Sequence, residues 1–412
     1  MSHLDTKEQF SAIPLFLLVL ILLLATLMQM TTDLYLPSLP AITKTFNSND
    51  ATIKLTLSIF MLGLSLSNLI YGPLSDRFGR KPPILIGVGI SALGSLLCFL
   101  APSATVLILG RFLQGIGIGC CNSVGRSLIR DLLTDTLLAK IGSYVGMVSV
   151  FIMALSPTLG GYVQHYMGWR ANFLLLLLFA LVIWFLMYFR LPETNKHRNP
   201  EATKLKIMGA NYRILLQSKI FMGYTLCACF GCAGLVAYLT VGPFLIQDML
   251  GFTAVEFGWM SFFLAGAIFF SGLINSQLVV KKGISFMLMI GIFLMIGGGL
   301  IMLVLVLSGF ITMLAIMIPV AIFSMGAGFT FINAFAGAFH PFPKMAGTTG
   351  ALYAFLQDLS AACASALMAY MKGSNQFPLA IVFTFLGIGS LCAWRYLAVA
   401  EGRNNTDNLH TM

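Results

Sequence analysis

The chain has 412 residues, of which 58% are hydrophobic and only 9% are charged. Its mean hydropathy is +0.92. This composition excludes a soluble globular domain, because too few charged side chains are present to cover a water-facing surface. The sequence therefore indicates a polytopic membrane protein in contact with a lipid bilayer. The net charge is +10, and the concentration of the cations in alternate loops accounts for it, so we infer no nucleic-acid partner.

Twelve apolar runs are long enough to cross a bilayer as helices, each needing roughly 20 residues. The first run exceeds the apolar core of a signal peptide and leads into Asp33 rather than a small-residue cleavage site, so we interpret it as a retained helix. The predicted fold class is all-α membrane, with transmembrane helices over 13–36, 53–71, 83–101, 104–129, 140–164, 171–191, 220–246, 254–280, 284–307, 310–336, 346–371 and 377–399.

One long polar segment interrupts this series at its midpoint and leaves six runs on each side. We therefore predict two pseudo-symmetric six-helix halves, over 1–189 and 220–412, joined by a cytoplasmic connector over 190–219. A weak internal repeat supports a duplication, since Leu74, Arg77 and Gly79 recur 204 residues later as Leu278, Lys281 and Gly283.

Lysine and arginine are concentrated in alternate loops, which is the pattern of cytoplasmic loops in membrane proteins. The pattern predicts that both termini and the connector of this multi-pass membrane protein lie in the cytoplasm. The cation-rich side includes Lys7, Arg77, Arg80, Lys81, Arg130, Lys140, Lys281, Lys282 and seven connector residues, whereas the opposite loops carry only Lys44, Lys54, Arg170 and Lys372.

The segment from Gly72 to Lys81, between predicted helices 2 and 3, is expected to form a short loop. It combines one acid, Asp76, with three cations and two glycines. A plain cytoplasmic loop explains the cations but neither the acid nor the glycines. We expect it to act mechanically rather than to bind substrate, through Gly72, Asp76, Arg77, Gly79, Arg80 and Lys81.

Further motifs occur in chain order: Asp33-Leu34-Tyr35-Leu36-Pro37 on helix 1, Arg111-Phe112-Leu113-Gln114-Gly115-Ile116-Gly117 and Arg126-Ser127-Leu128-Ile129-Arg130-Asp131 on helix 4, Ser156-Pro157-Thr158-Leu159-Gly160-Gly161 on helix 5, Leu191-Pro192-Glu193-Thr194 after helix 6, and Met345-Ala346-Gly347-Thr348 before helix 11. With the Gly72–Lys81 segment, they make the chain resemble the major facilitator superfamily, and within it the bicyclomycin/chloramphenicol-resistance (Bcr/CflA) drug:proton antiporters. The resemblance covers nearly the whole chain.

The resemblance implies a monomeric, proton-coupled transporter that exports amphiphilic drugs or small molecules by alternating access. It also implies that Asp76 contacts the start of helix 11 when the cytoplasmic side is closed, and that Arg77, Arg80 and Lys81 neutralise this acid. The motif residues on helices 4 and 5 that we single out are Gly115, Arg126, Arg130, Asp131, Pro157, Gly160 and Gly161.

Helix 5 departs from the antiporter pattern, because Ser143 and Ile152 occupy two positions where glycines are expected. This leaves a dedicated siderophore or metabolite transporter of the same fold open as an alternative. We expect no ATPase, since no phosphate-binding Gly-x-x-x-x-Gly-Lys-Ser/Thr loop occurs. No enzyme activity, cofactor or metal is expected, and we interpret the cysteines as small apolar residues.

Among the charged residues inside the predicted membrane helices, three stand out as functional candidates, because an ionised group in the hydrocarbon core is costly. Asp33 lies late in helix 1 and Arg111 early in helix 4, so both lie in the outer half of the membrane and could form a pair that a proton or cation disrupts. A simple structural ion pair is the alternative.

Asp358 lies about 13 residues into helix 11, and no basic residue of the second half lies at similar depth. It is a second candidate for proton carriage, unless it is a neutral acid hydrogen-bonded to a neighbouring helix. Polar residues at helical spacing near these charges predict the substrate cavity, which we assign to Thr26, Gln29, Gln114, Asn122, Tyr238, Asn333, Tyr353 and Gln357.

Overall fold

The computed structural model describes residues 15–132, 135–195, 198–371, 373 and 375–398. Within these ranges it contains twelve helices long and apolar enough to span a membrane, which confirms the predicted fold class. We number the spanning helices α1 (Leu15–Asp33), α2 (Asp50–Phe78), α3 (Lys81–Phe99), α4 (Ala104–Leu132), α5 (Asp135–Met167), α6 (Trp169–Arg190), α7 (Lys219–Pro243), α8 (Ala254–Lys282), α9 (Ile284–Leu307), α10 (Met313–Phe339), α11 (Ala346–Tyr370) and α12 (Phe377–Ala393).

Several helix ends follow directly from local sequence. The Asn49 side chain accepts a hydrogen bond from the Thr52 backbone N–H at 2.8 Å and so caps α2. Thr253 and Glu256 form a reciprocal capping box at the start of α8. Gly79 ends α2 with a φ of 100°, a backbone conformation that side-chain-bearing residues rarely adopt.

The expected loop over Gly72–Lys81 is mostly helical, so its predicted bounds were wrong. α2 continues to Phe78 with Pro73 inside it, and the chain breaks only at Gly79 and Arg80. A proline lowers helix propensity but does not end a helix whose neighbours satisfy the freed carbonyl groups. The basic segment is therefore a rigid helix end followed by a two-residue turn.

The connector contains a helix that the sequence analysis did not predict, over Leu205–Gln217. Its charged and apolar residues alternate at helical spacing, so no apolar run marks it. This connector helix packs against α7 and α11. Two shorter segments lie near the other ends of the helices: a helix over Leu39–Thr45 and a π-helical turn over Phe244–Met249 that continues α7.

The first six spanning helices contact the last six mainly through two helix pairs. α2 packs along α11, and α5 packs along α8. Inside the first six, α4 packs against α2 and α3; inside the last six, α10 packs against α9 and α7. We call the side of the helix assembly that carries the connector the connector side. The opposite side, which carries the Leu39–Thr45 helix and the Phe244–Met249 turn, is called the distal side.

The distal side is closed by contacts between the two sets of helices. The Lys44 ammonium lies 2.9 Å from the Asp248 carboxylate. The Gln247 amide donates to the Pro37 carbonyl at 3.0 Å. These contacts join the segments after α1 to the π-helical turn after α7, so the distal ends of the helices are held together.

Candidate functional site: the cavity and the buried charges

A cavity of about 460 Å³ opens between the two sets of helices on the connector side. Its walls come from α2, α4, the connector, α10 and α11. Its polar lining consists of carboxylates, amides and hydroxyl groups, and the described lining contains no lysine or arginine. The lining includes Asn68, Asp76, Asn122, Ile207, Met208, Asn211, Tyr212, Phe335 and Phe339.

The inner end of this cavity carries a hydrogen bond between the two sets of helices. The Asn68 amide of α2 donates to Asp358 Oδ2 of α11 at 2.8 Å. The Asn122 amide of α4 in turn donates to the Asn68 side-chain oxygen at 3.4 Å. Asp358 therefore does have a polar neighbour at its depth, but the neighbour is an amide of the first six helices rather than a cation of the last six.

Arg111 is fully buried near the distal end of α4. Its guanidinium carbon lies 4.1 Å from the Tyr35 ring centroid and 4.0 Å from that of Phe60. Its Nη1 donates to the Thr31 carbonyl at 2.9 Å and to the Gln114 side-chain oxygen at 2.8 Å. The aromatic faces stabilise the cation away from water, because ring quadrupoles attract positive charge.

Asp33 is the last residue of α1 and only 2% exposed. The Gln29 amide, one turn earlier, donates to Asp33 Oδ2 at 2.6 Å. Thr31 and Tyr35, which contact the Arg111 guanidinium, flank Asp33 in the chain. The two charged side chains are thus neighbours in the distal half of the protein.

The expected direct pair between Asp33 and Arg111 is not formed in this structure. The described salt bridges do not include it, because Gln29 engages the carboxylate while Gln114 engages the guanidinium. Asp33 Oδ1 and Arg111 Nε and Nη2 are buried and have no hydrogen-bond partner among the described residues. The site therefore holds an unused acceptor and two unused donors.

Most of the polar residues assigned to the substrate cavity lie elsewhere, and only Asn122 of that set lines the cavity. Gln114 bonds to Ser95 between α4 and α3. Tyr238 donates to Met317 Sδ, and Asn333 donates to Asn275, so both are satisfied inside the last six helices. Helical spacing shows which residues share a face but not which neighbour that face meets. Three other residues of the set are also outside the lining: the Thr26 hydroxyl donates to the Leu22 carbonyl, the Tyr353 ring packs on Phe335 and Phe339, and Gln357 is half-buried.

Arg80 organises the end of α2, and the other two cations of the segment do not neutralise Asp76 as expected. Arg80 Nη1 lies 2.6 Å from Asp76, and its Nε lies 2.7 Å from Asp131 of α4. Burial opposes the charge of Arg80, but the hydrogen bonds that its guanidinium donates to Asp131 and Asp76 outweigh this effect and raise the pKa of the guanidinium. Arg77 donates to Thr203 at 2.6 Å instead, and the Lys81 ammonium lies 5.8 Å from the Tyr188 ring centroid.

Glu193 caps α3, a role that the sequence analysis missed. Its carboxylate accepts hydrogen bonds from the backbone N–H groups of Arg80 at 2.8 Å and Lys81 at 3.4 Å. A carboxylate at a helix N-terminus is favoured by the free N–H groups and the helix dipole. A side chain on Gly79 would collide with this carboxylate. The sequence feature that could have predicted this cap is the position of Glu193 shortly after α6, together with the lack of a capping side chain at the start of α3.

Asp76 lines the cavity wall that faces the first residues of α11, including Gly347 and Thr348. The predicted contact between Asp76 and α11 belongs to a state closed on the connector side, and this structure shows the space between them. On α5, side chains on Gly160 and Gly161 would collide with the Leu34 and Ala254 carbonyls. Among the other motif residues, Gly115 lies against the Phe60 backbone and Pro157 lies inside α5, while the side chains of Arg126 and Arg130 lie outside the described part of the chain.

Spanning helices of both sets thus line a cavity that opens on the connector side. The sequence profile described as Major Facilitator Superfamily matches residues 21–365 of the chain. The chain belongs to this superfamily. The resemblance inferred from its motifs is therefore confirmed, and with it the expectation of a multi-pass membrane transport protein.

Two curated relatives are similar to nearly the whole chain. Multidrug resistance protein D of Escherichia coli is 30% identical over 382 residues, which cover 93% of this chain and 95% of the relative. The bicyclomycin resistance protein homolog of Haemophilus influenzae is 30% identical over 374 residues, which cover 89% of this chain and 92% of the relative.

Solved structures show the same fold at lower sequence identity. The xylose transporter XylE from E. coli, in a partially occluded inward open conformation, aligns with a TM-score of 0.72 and 17% identity, covering 93% of this chain and 97% of that one. The human organic anion transporter MFSD10 aligns with a TM-score of 0.70 and 16% identity, covering 93% and 99%.

Proposed function

We propose that the protein is a proton-coupled exporter of amphiphilic drugs or similar small molecules, working as a monomer by alternating access across a bacterial inner membrane. Its superfamily and the names of its relatives, which refer to multidrug and bicyclomycin resistance, support this function. The cation-rich loops favour a cytoplasmic connector side, with both termini in the cytoplasm. The cavity then opens inward, where a drug to be exported would bind.

The observation that carries proton coupling is the set of buried, unpartnered atoms on Asp33 and Arg111. An ionised carboxylate would be attracted to guanidinium donors that lack partners, especially where little water screens the charges. A neutral, protonated Asp33 accounts for the absence of the pair in this inward-open arrangement. Loss of its proton would make Asp33 an anion, able to pair with Arg111 or with a cationic substrate.

The transport cycle follows from these positions. A proton arriving from the distal side neutralises Asp33 and permits the transition to the state that is open on the connector side. Substrate then binds from the cytoplasmic cavity and the proton leaves, and the reverse transition carries the substrate outward. Asp358, held by Asn68 at 2.8 Å between the two sets of helices, is the candidate for a second proton or for binding a second positive charge.

A dedicated siderophore or metabolite transporter is not favoured, because the relatives that cover most of the chain are named for drug resistance. The test is a growth and uptake screen in a strain stripped of its own pumps. Overexpression should raise resistance to amphiphilic drugs and lower their accumulation, and a proton uncoupler should abolish both effects. A protein that changes only siderophore or metabolite uptake would contradict the proposal.

A further inference from the structure

The connector supplies one wall of the inward-facing cavity, although it is outside both sets of spanning helices. Ile207, Met208, Asn211 and Tyr212 of the connector helix all line the cavity. These positions are spaced by one, three and four residues, so they form a single helical face. That face combines two apolar side chains with an amide and a phenol.

This wall is fixed in place from both directions. On the side of α2, Arg77 Nη1 donates to Thr203 Oγ1 at 2.6 Å, and the Asn199 backbone N–H donates to the Asp76 carbonyl at 2.9 Å. On the other side, the fully buried Leu215 joins the apolar cluster formed with α7 and α11. The connector helix is therefore held against the spanning helices rather than tethered loosely between them.

The opposite part of the lining completes a surface of mixed character. Phe335 and Phe339 of α10 supply stacked aromatic rings with centroids 4.1 Å apart. Asn68 and Asn122 supply amides further in. An amphiphilic molecule could place an apolar body between these rings and Ile207 while Asn211 accepts or donates a hydrogen bond.

We propose that the connector helix is part of the substrate-binding surface, and that Ile207 and Asn211 determine which amphiphilic compounds are transported. This inference rests on the proposed export function and adds to it a specificity-determining segment outside the spanning helices. The ligand class is an amphiphile with a ring or chain that packs on Ile207 and a polar group that hydrogen-bonds with Asn211. A segment that only joined two halves would not need this ordered, cavity-facing surface.

The chain offers a matched control on the same helix. Ile207 is 40% exposed and Ile214 is 50% exposed, so both tolerate change, but only Ile207 lines the cavity. Full-length Ile207→Asn and Ile214→Asn proteins are reconstituted in vesicles with an imposed pH gradient. Transport of rhodamine 6G, an amphiphilic fluorescent cation, and of a small panel of neutral amphiphiles is then measured.

We expect Ile207→Asn to raise the KM for the dye roughly fivefold, because part of one apolar contact with the dye is lost. The kcat should change little. Ile214→Asn should match the wild type, and Asn211→Leu should change the ranking of the panel compounds. A photo-crosslinking residue at position 207 should label with the dye, and one at position 214 should not.

Equal effects at both positions, or labelling at neither, would overturn the role of the connector while leaving the export function intact, provided that the wild type transports the panel. If the wild type transports none of these compounds in response to the gradient, both the export function and this inference are wrong.

Discussion

Asp33 is buried next to a cation and yet is not paired with it, and this makes it the residue most open to a direct test. Asp33→Asn keeps the shape and the hydrogen-bonding capacity that Gln29 uses, but it removes the titrating group. We expect the variant to insert and fold normally and to lose proton-driven transport. Asp50→Asn, an exposed acid at the start of α2, is the control and should transport normally. Full transport by Asp33→Asn vesicles would exclude Asp33 as the coupling group.

Two different substitutions can distinguish the role of the Asp358 charge from the role of its hydrogen bond with Asn68. Asp358→Asn retains an oxygen for the Asn68 amide and removes only titration. Asn68→Leu removes the hydrogen bond and leaves the carboxylate. If Asp358 carries a second proton, Asp358→Asn lowers the number of protons released per substrate and loses dicationic compounds, while neutral compounds are spared. Unchanged proton release and substrate range in Asp358→Asn, with defects only in Asn68→Leu, would show a structural role.

The sequence predicted the identity and depth of the buried charges but not their partners. A charged residue in a membrane helix is conspicuous by composition alone, so Asp33, Arg111 and Asp358 were found. Gln29 hydrogen-bonds with Asp33 and Gln114 with Arg111, so these two charged residues do not pair with each other. Asn68, which donates to Asp358, is 290 residues away from it in the chain. Such contacts depend on how helices rotate and pack, which a single helical face does not specify.

The turn between α2 and α3 is an element whose backbone and cap depend on each other. Gly79 has a φ of 100°, and its missing side chain leaves room for the Glu193 carboxylate. We expect Gly79→Ala to lower the apparent melting temperature, since such a backbone costs a side-chain-bearing residue about 1–3 kcal/mol. In Gly79→Ala/Glu193→Ala the collision is absent but the backbone strain remains.

In a thermal unfolding series in detergent, the double variant should therefore lose less stability than the sum of the losses in Gly79→Ala and Glu193→Ala. Glu193→Ala alone serves as the reference for the lost cap. A Gly79→Ala protein as stable as the wild type would show that this turn has a different backbone conformation.

The π-helical turn after α7 is one of the elements that hold the distal side closed. Lys44 pairs with Asp248, and the Lys54 ammonium lies 4.7 Å from the Phe244 ring centroid. Lys44→Asp should favour opening on the distal side, and Lys44→Asp/Asp248→Lys should restore closure because it reverses the pair. The pair is exposed, so the effect should be about 0.2–1 kcal/mol, a shift in populations rather than a locked state.

Distances between spin labels on the distal ends of α2 and α8 measure this population directly. A double variant that stays as open as the single one would mean that the charges do not interact across the gap.

Helix number and order could be read from apolar runs, whereas helix ends could not. The apolar run 53–71 became a helix over Asp50–Phe78, because a cap at Asn49 and the break at Gly79 set its ends. The connector helix lacks an apolar run and was therefore missed, although it forms part of the cavity wall. Hydropathy predicts the helices that cross the bilayer, because these must be long and apolar, but it misses amphipathic helices outside the bilayer.

At the scale of the whole molecule, the two ends of the helix assembly differ in a way that defines a transport state. The distal side is joined by Lys44–Asp248 and by a hydrogen bond from Thr158 to the Gly258 carbonyl at 2.9 Å. The connector side holds a cavity of about 460 Å³. Alternating access requires a second state in which these relations are reversed, and we propose that Asp76 meets the start of α11 in that state.

This second state gives a prediction for Asp76. Asp76→Asn removes the negative charge of a carboxylate that lies 2.6 Å from Arg80 Nη1. The N-terminus of α11 would attract this charge when the connector side closes. Turnover should slow and labels on the connector side should become more accessible, with substrate affinity changed little. A loss of affinity without any change in accessibility would assign Asp76 to binding rather than gating.

Proton release on substrate binding tests the central claim, that one buried carboxylate exchanges a proton for substrate. Purified wild-type protein in weakly buffered detergent is mixed with a transported compound, and the pH change is recorded. The wild type should release protons on binding, and Asp33→Asn should bind the compound while releasing fewer. Proton release from Asp33→Asn equal to that of the wild type would contradict the account.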